Sequence, residues 1–177
     1  MSSAMNHSYS LKCDNLKLVP LSAAESEKYR LLRNQAEIRK WFEYKGKISK
    51  EQQNKWFDKY LDNQSDIMFA IMSENGAFLG CNSIYNINPA AGRAEYGRLI
   101  IDPKYSGKGY GCLATKMAVC IARNQMGLSE LQLEVYENNF SAIKSYHKAG
   151  FIDNGFVFDK SGNRMLSMSI NFKNEGE

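Results

Sequence analysis

The sequence lacks any cysteine pattern that would hold a metal or a disulfide framework. Its four cysteines, Cys13, Cys81, Cys112 and Cys120, form no Cys-x-x-Cys pair and match no zinc-site spacing. We therefore expect free thiols, as in a reducing compartment, and no bound metal.

Long apolar runs, targeting signals and a strong charge are also missing. No apolar stretch approaches the roughly 20 residues that cross a bilayer. Residues 1–10 are polar and lack the apolar core of a signal peptide, so we interpret them as a flexible leader. We expect a cytoplasmic protein with no membrane partner. The net charge of +4 is small and scattered, which argues against a nucleic-acid partner.

The remaining 11–177 predict a single domain with enough apolar residues for a core. After one short strand at 15–21, two capping-box spacings, Ser22 with Glu25 and Ser49 with Gln52, predict helix starts. A second amphipathic piece covers 36–44. Alternating strands then follow, with a hairpin turn at 75–76.

The predicted order of elements is β-α-α-β-β-β-α-β-α-β-β. This order indicates an α+β fold in which helices flank a mixed, mostly antiparallel central sheet. We find no internal repeat and no linker.

A glycine loop follows the strand predicted at 93–101. The strand ends at Asp102-Pro103, three glycines alternate at Gly107, Gly109 and Gly111, and a helical pattern then begins. A strand, a glycine loop and a helix N-terminus together bind phosphate through backbone N–H groups and the helix dipole. The spacing fits neither a P-loop nor a dinucleotide fingerprint. A loop that only turns the chain is the competing interpretation.

A second motif lies in a predicted strand and short helix at 134–151. Asn139 is followed by Ala142, Tyr146 and the pair Gly150-Phe151. Together with the glycine loop, this stretch closely resembles the GNAT superfamily of N-acetyltransferases. The two motifs occur in the family's order, and the resemblance covers about 66–172, with a helical first third that also agrees.

The resemblance implies acetyl-coenzyme A (acetyl-CoA) as acetyl donor, bound without a metal. In this family the strand before the loop holds the pantetheine arm and the loop wraps the pyrophosphate. The cofactor-binding residues so implied are Leu99, Ile100, Ile101, Ser106, Gly107, Lys108, Gly109, Tyr110, Gly111, Asn139, Ala142 and Tyr146. Ser106 departs from the family's Gln or Arg, which leaves more of the binding to backbone N–H groups.

Tyr146 and Glu95 are the catalytic residues that the resemblance implies. Tyr146 occupies the position that protonates the coenzyme A sulfur, and its alternative role is packing. Glu95 is at a position where some members have a general base; a structural or substrate-binding carboxylate is the alternative, and Glu134 is a second candidate. Asn139 either bonds to pantetheine or caps its helix.

The acceptor is predicted to be a small primary amine. Short matches within 32–57 resemble acetyltransferases of nucleotide-linked amino sugars in the pseudaminic acid pathway. Arg33 and Arg39 would then hold a diphosphate beside Trp41 and Trp56, whose alternative role is to anchor the core. A protein N-terminus, a ribosomal protein, another small amine and a non-catalytic acetyl-CoA-binding module stay open. Polyamines fit less well, because the first third is not acid-rich. We expect a monomer or homodimer.

Overall fold

The computed structural model describes residues 4–172, which form one eight-stranded sheet flanked by helices. The strands lie in the order β1-β2-β3-β4-β5-β6-β8-β7. Their bounds are β1 Leu11–Cys13, β2 Leu16–Pro20, β3 Ile67–Ser73, β4 Phe78–Asn88, β5 Arg93–Ile101, β6 Glu130–Tyr136, β7 Ile152–Phe158 and β8 Arg164–Asn171. The helices are α1 Ala23–Arg33, α2 Ala36–Arg39, α3 Lys50–Leu61, α4 Tyr110–Asn124 and α5 Phe140–Lys148.

Each face of the sheet has its own hydrophobic core. On one face, α1 and α3 bury Tyr29, Phe57 and Tyr60 against β3, β4 and Ile100 of β5. On the other face, α4 and α5 cover the sheet, and Ile121 of α4 is fully buried. The predicted fold class is therefore confirmed. Among the helices of residues 4–172, none is long and apolar enough to cross a bilayer.

Local sequence explains where the helices and turns begin. Ser49 and Gln52 make a complete capping box at the start of α3, and the Ser22 side chain accepts a hydrogen bond from the backbone of Glu25 in α1. Gly76 has a φ of +82°, which suits the predicted β3–β4 turn. These predictions are confirmed.

Strands β5 and β6 form a parallel pair that is very short. Their paired residues run only from Arg93 with Glu130 to Glu95 with Gln132. Both strands continue for several residues beyond the last pair, so they diverge like the arms of a V. The edge of β5 that includes Leu99 and Ile101 therefore faces open space instead of a neighbouring strand.

A β-bulge in β5 bends the strand at the same place. Cys81 pairs with Ile100 and Ser83 with Gly97, so Asn82 alone lies opposite two residues of β5. One of them, Arg98, has a φ of +51°, an uncommon value for a residue with a side chain. The bulge adds a residue to one strand and strengthens its twist, which helps β5 to separate from β6.

Two local predictions differ from the structure. The helix expected at 36–44 ends at Arg39, and the N-terminal side contains an additional strand, β1. Part of the predicted leader is attached to the domain: the Asn6 side-chain amide lies 2.7 Å from the carbonyl oxygen of Tyr60 and 2.8 Å from that of Asp66. Residues 1–3 of the leader and 173–177 of the predicted domain lie outside the described part of the chain.

Candidate active site

A cleft of about 560 Å³ opens where β5 and β6 diverge. Its walls are α2 with the segment after it, the end of β5, the loop before α4 with the start of that helix, and one face of α5. Most of the cofactor-binding residues expected from the sequence line this cleft, namely Leu99, Ile100, Ile101, Ser106, Gly107, Gly109, Tyr110, Gly111, Asn139 and Ala142. Two regions of the sequence, 99–111 and 139–142, are thus brought together by the fold.

The glycine loop can wrap an anion without steric hindrance. Gly107 and Gly109 have φ values of +76° and +79°, a conformation that glycine adopts readily. A Cβ at either position would have nothing within 4 Å, so the loop is open on that side. Gly109 is the N-cap of α4, whose first N–H groups have no partner within the helix. This loop fits a diphosphate.

Lysines from α5 and not from the loop reach the cleft. Lys144 and Lys148 line it, whereas Lys108, expected from the sequence, does not. Their spacing of four places them on one helical face. That spacing is visible in the sequence, but charged surface helices show it so often that it does not by itself indicate a ligand site. Both ammonium groups suit a ligand that carries several phosphates.

Tyr146 lies at the base of the divergence and not on the wall of the cleft. Its side chain is 6% exposed and its ring packs edge-on against Tyr96 and beside Phe151. Its hydroxyl has no hydrogen-bond partner within residues 4–172. Burial raises the pKa of Tyr146 well above that of a free phenol, so the hydroxyl keeps its proton. The protonated phenol is the form that a general acid requires.

Asn139 shows the capping role that the sequence left open. Its side-chain oxygen accepts a hydrogen bond from the backbone N–H of Ala142 at 3.4 Å, at the start of α5. The side chain also lines the cleft. The two roles are compatible, because the amide nitrogen of the side chain is not used in the cap.

Glu95 belongs to the last residue pair between β5 and β6, opposite Gln132. Its carboxylate accepts a hydrogen bond from the side chain of Asn86, and Tyr85 is its cross-strand neighbour. Burial, and then the charges of Glu95 and Glu134, raise the pKa of Tyr85 to about 12, against the opposing effect of Arg98. Two carboxylates therefore lie near one phenol on the sheet face opposite α4.

The aromatic residues of the first third have different positions. Trp56 is partly buried and stacks on Tyr60 at 5.1 Å between ring centres, against the α1–α3 core. Trp41 instead lines the cleft. The Arg39 guanidinium donates to the carbonyl of Asn34, so it is held by its own segment. Within residues 4–172, no group of His, Cys, Asp and Glu could hold a metal ion.

Comparison with known proteins identifies the family. Residues 15–152 match the model of the Acetyltransferase (GNAT) domain. Spermidine N(1)-acetyltransferase of Escherichia coli (strain K12) is 33% identical over 138 residues, which is 77% of this chain and 73% of that protein.

Solved structures share the fold. A spermidine N-acetyltransferase from Vibrio cholerae, in complex with CoA and spermine, superposes with a TM-score of 0.82 at 21% identity, covering 89% of this chain and 95% of that one. A dodecameric structure of the same enzyme in an intermediate state superposes with a TM-score of 0.75 at 19% identity, covering 92% and 99%.

These relatives give no support to the narrower resemblance to enzymes that act on nucleotide-linked amino sugars. They support a small amine as substrate. The chain belongs to the GNAT acetyltransferase family, and it is an acetyl-CoA-dependent N-acetyltransferase.

Proposed function

We propose that this enzyme acetylates a polyamine such as spermidine, at the point where β5 and β6 diverge. The observation that carries the proposal is the cleft whose wall holds the glycine loop, together with the Glu95 and Glu134 carboxylates, which lie near Tyr85 where the pairing of β5 and β6 ends. The donor's diphosphate would bind at the loop 106–111. The pantetheine arm would lie along the free edge of β5, with hydrogen bonds to Leu99 and Ile101.

The reaction requires two proton transfers. The amine nitrogen attacks the thioester carbonyl carbon, a C–N bond forms, and the C–S bond breaks to release coenzyme A thiolate. We assign the proton that this thiolate takes up to the Tyr146 hydroxyl, which is protonated and has no hydrogen-bond partner in the described structure. The phenolate then recovers a proton from solvent or from the acetylated product.

The amine must lose a proton before it attacks. An alkylammonium group has a pKa near 10, so it is charged at neutral pH. Glu95 is the carboxylate nearest the strand divergence, and its hydrogen bond from Asn86 fixes its direction. We assign to Glu95 the role of accepting this proton, directly or through a water molecule.

Two findings support a polyamine acceptor. The E. coli relative is a spermidine N(1)-acetyltransferase. The second is local charge: Glu95 is the cross-strand neighbour of Tyr85 and Glu134 is on the adjoining strand β6, while the Arg98 guanidinium over the Tyr85 ring is itself paired with Asp66. A cationic substrate therefore meets two carboxylates there. The first third of the chain is not acid-rich, which weighs against polyamines, but the two carboxylates assigned here lie outside it, on β5 and β6.

An acceptor panel tests the proposal. Release of coenzyme A thiol is followed with spermidine, spermine, an N-terminal peptide and a nucleotide-linked amino sugar. We expect turnover with the polyamines, and we expect Glu134→Gln to raise KM for spermidine about threefold to tenfold by removing one attractive charge. Glu51→Gln is the matched control, because Glu51 is on the exposed surface of α3 and pairs with Lys55. Turnover with the sugar or peptide alone would contradict the proposal.

A further inference from the structure

A second cavity, of about 320 Å³, lies on the α1–α3 face of the sheet. We name it the arginine cavity. It is enclosed by α1, the start of α3, the segment between α2 and α3, and the bulge of β5. Two of its lining residues are Arg33 of α1 and Arg98 of β5, and the walls between them are aromatic.

Arg33 is a buried cation with unused hydrogen-bonding capacity. The residue is 6% exposed, and in the described part of the chain its Nη1 has no hydrogen-bond partner. Its Nη2 reaches the carbonyl of Tyr44 only at 3.5 Å, and the guanidinium lies over the ring of Phe42 at 3.5 Å. A buried guanidinium without a counter-charge is costly, and burial lowers the pKa of Arg33 accordingly.

Arg98 adds a second guanidinium, which is only partly compensated. Its Nη1 contacts Asp66 at 2.7 Å and the Ser83 hydroxyl at 3.2 Å. Asp66 is thus held by Arg98 at the base of β3 and does not neutralise Arg33. The titratable groups facing the arginine cavity are these two guanidinium groups and the phenols of Tyr29 and Tyr44, so the cavity is positively charged.

The other walls suit an organic ligand with a flat body. Tyr29, Tyr44 and Trp56 provide aromatic surface, and Gln52 and Gln53 provide amides. The Gln53 amide is already engaged with the Ser26 hydroxyl at 2.8 Å. A guanidinium presents its N–H groups as a planar fork that matches the two oxygens of a carboxylate.

We propose that the arginine cavity binds the carboxylate of a small organic ligand, with Arg33 and Arg98 as its hydrogen-bond donors. A polyamine is repelled by this charge, so the site does not depend on the proposed acceptor. The carboxylate therefore belongs to a ligand that is separate from the polyamine acceptor. The shared chemistry is a carboxylate attached to a flat apolar body.

Binding of benzoate tests the proposal directly. Titration calorimetry of the full chain compares benzoate with benzamide, which has the same shape and no charge. We expect saturable one-to-one binding of benzoate and binding of benzamide weaker by about tenfold or more, because charge-assisted hydrogen bonds are lost. Equal binding of the two compounds, or no saturable binding of benzoate, overturns the proposal.

Charge variants locate the binding. Gln52→Glu adds a negative charge at the cavity, and glutamate also completes the capping box at N3, so the helix is retained. We expect Gln52→Glu to lower the affinity for benzoate at least about fivefold. Asn54→Asp makes the same change on the exposed side of α3, away from the cavity, and should leave binding unchanged. Equal effects of the two variants would place the benzoate elsewhere.

Arg33→Met removes the buried hydrogen-bond donor, and we expect the affinity for benzoate to fall about tenfold to a hundredfold. If this variant does not fold, the Gln52→Glu comparison still decides. Benzoate is then added to the acetylation assay with spermidine. We expect no competition with spermidine, and competition would place benzoate in the acceptor site and overturn the assignment to a separate ligand. Failure of spermidine turnover alone affects the proposed function and leaves benzoate binding as an independent result.

Discussion

Replacing Tyr146 by Phe removes only the phenolic hydroxyl, so its effect on catalysis can be measured apart from any effect on folding. The ring packs against Tyr96 and Phe151, and those contacts remain in Tyr146→Phe. The hydroxyl has no hydrogen-bond partner within residues 4–172, so its removal breaks no described bond. We therefore expect the free energy of unfolding to change by less than about 1 kcal/mol. Acetyl-CoA affinity should also be nearly unchanged.

Turnover should fall much further than stability. A positioned general acid contributes about a hundredfold to ten-thousandfold, so kcat should decrease by that factor. This loss corresponds to about 3–5 kcal/mol of transition-state stabilisation, several times the expected change in stability. The difference arises because the proton of Tyr146 is used only when the thiolate leaves.

The pH dependence provides a second readout of Tyr146. A phenol is protonated below its pKa, and burial raises the pKa of Tyr146, so the proton-bearing form extends to higher pH than for a free phenol. The wild-type rate should therefore not decline below pH 10 because of Tyr146. The release of coenzyme A thiol at saturating acetyl-CoA, measured from about pH 6 to 10, reports both the loss of kcat in Tyr146→Phe and the pH dependence of the wild-type rate. A kcat of Tyr146→Phe within threefold of wild type would refute the assignment.

Two further variants test the glycine loop and the assigned base. Gly109→Ala places a side chain at a φ of +79°, which costs about 1–2 kcal/mol at that position. We expect the KM for acetyl-CoA to increase about tenfold, with little change in the KM for the amine. Gly162→Ala, at a φ of +82° in the distant β7–β8 turn, is the control for a general loss of stability. Glu95→Gln should lower kcat/KM at pH 7 about tenfold or more and recover as the pH approaches 10, where the amine is already neutral. A pH-independent deficit in that variant would exclude Glu95 as the base.

The regular elements were predictable because their causes are local. The capping box of Ser49 and Gln52 and the turn at Gly76 depend on residues a few positions apart. Helix α2 was predicted too long for a related reason. Trp41 and Phe42 continue the apolar spacing, but they pack against other parts of the fold: Trp41 lines the cleft and Phe42 lies under Arg33.

The shape of the site depends on long-range pairing, which local patterns do not contain. The divergence after Glu95 requires a register between two strands separated by all of α4. Likewise, Lys144 and Lys148 replace Lys108 at the cleft because of how α5 is docked. The glycine loop and the Asn139–Phe151 motif were found because their function needs particular residues at fixed spacing. The arginine cavity has no such spacing: α1 and the β5 bulge meet only in the folded chain.

Backbone amide exchange measured with and without acetyl-CoA tests the central claim most directly. The claim is that the donor binds between the diverging strands through main-chain N–H groups. We expect acetyl-CoA to slow exchange at Leu99, Ile101 and the loop amides of 107–111, while the amides of α3 are unaffected. Slower exchange confined to other elements, with the loop amides unchanged, would contradict the claim.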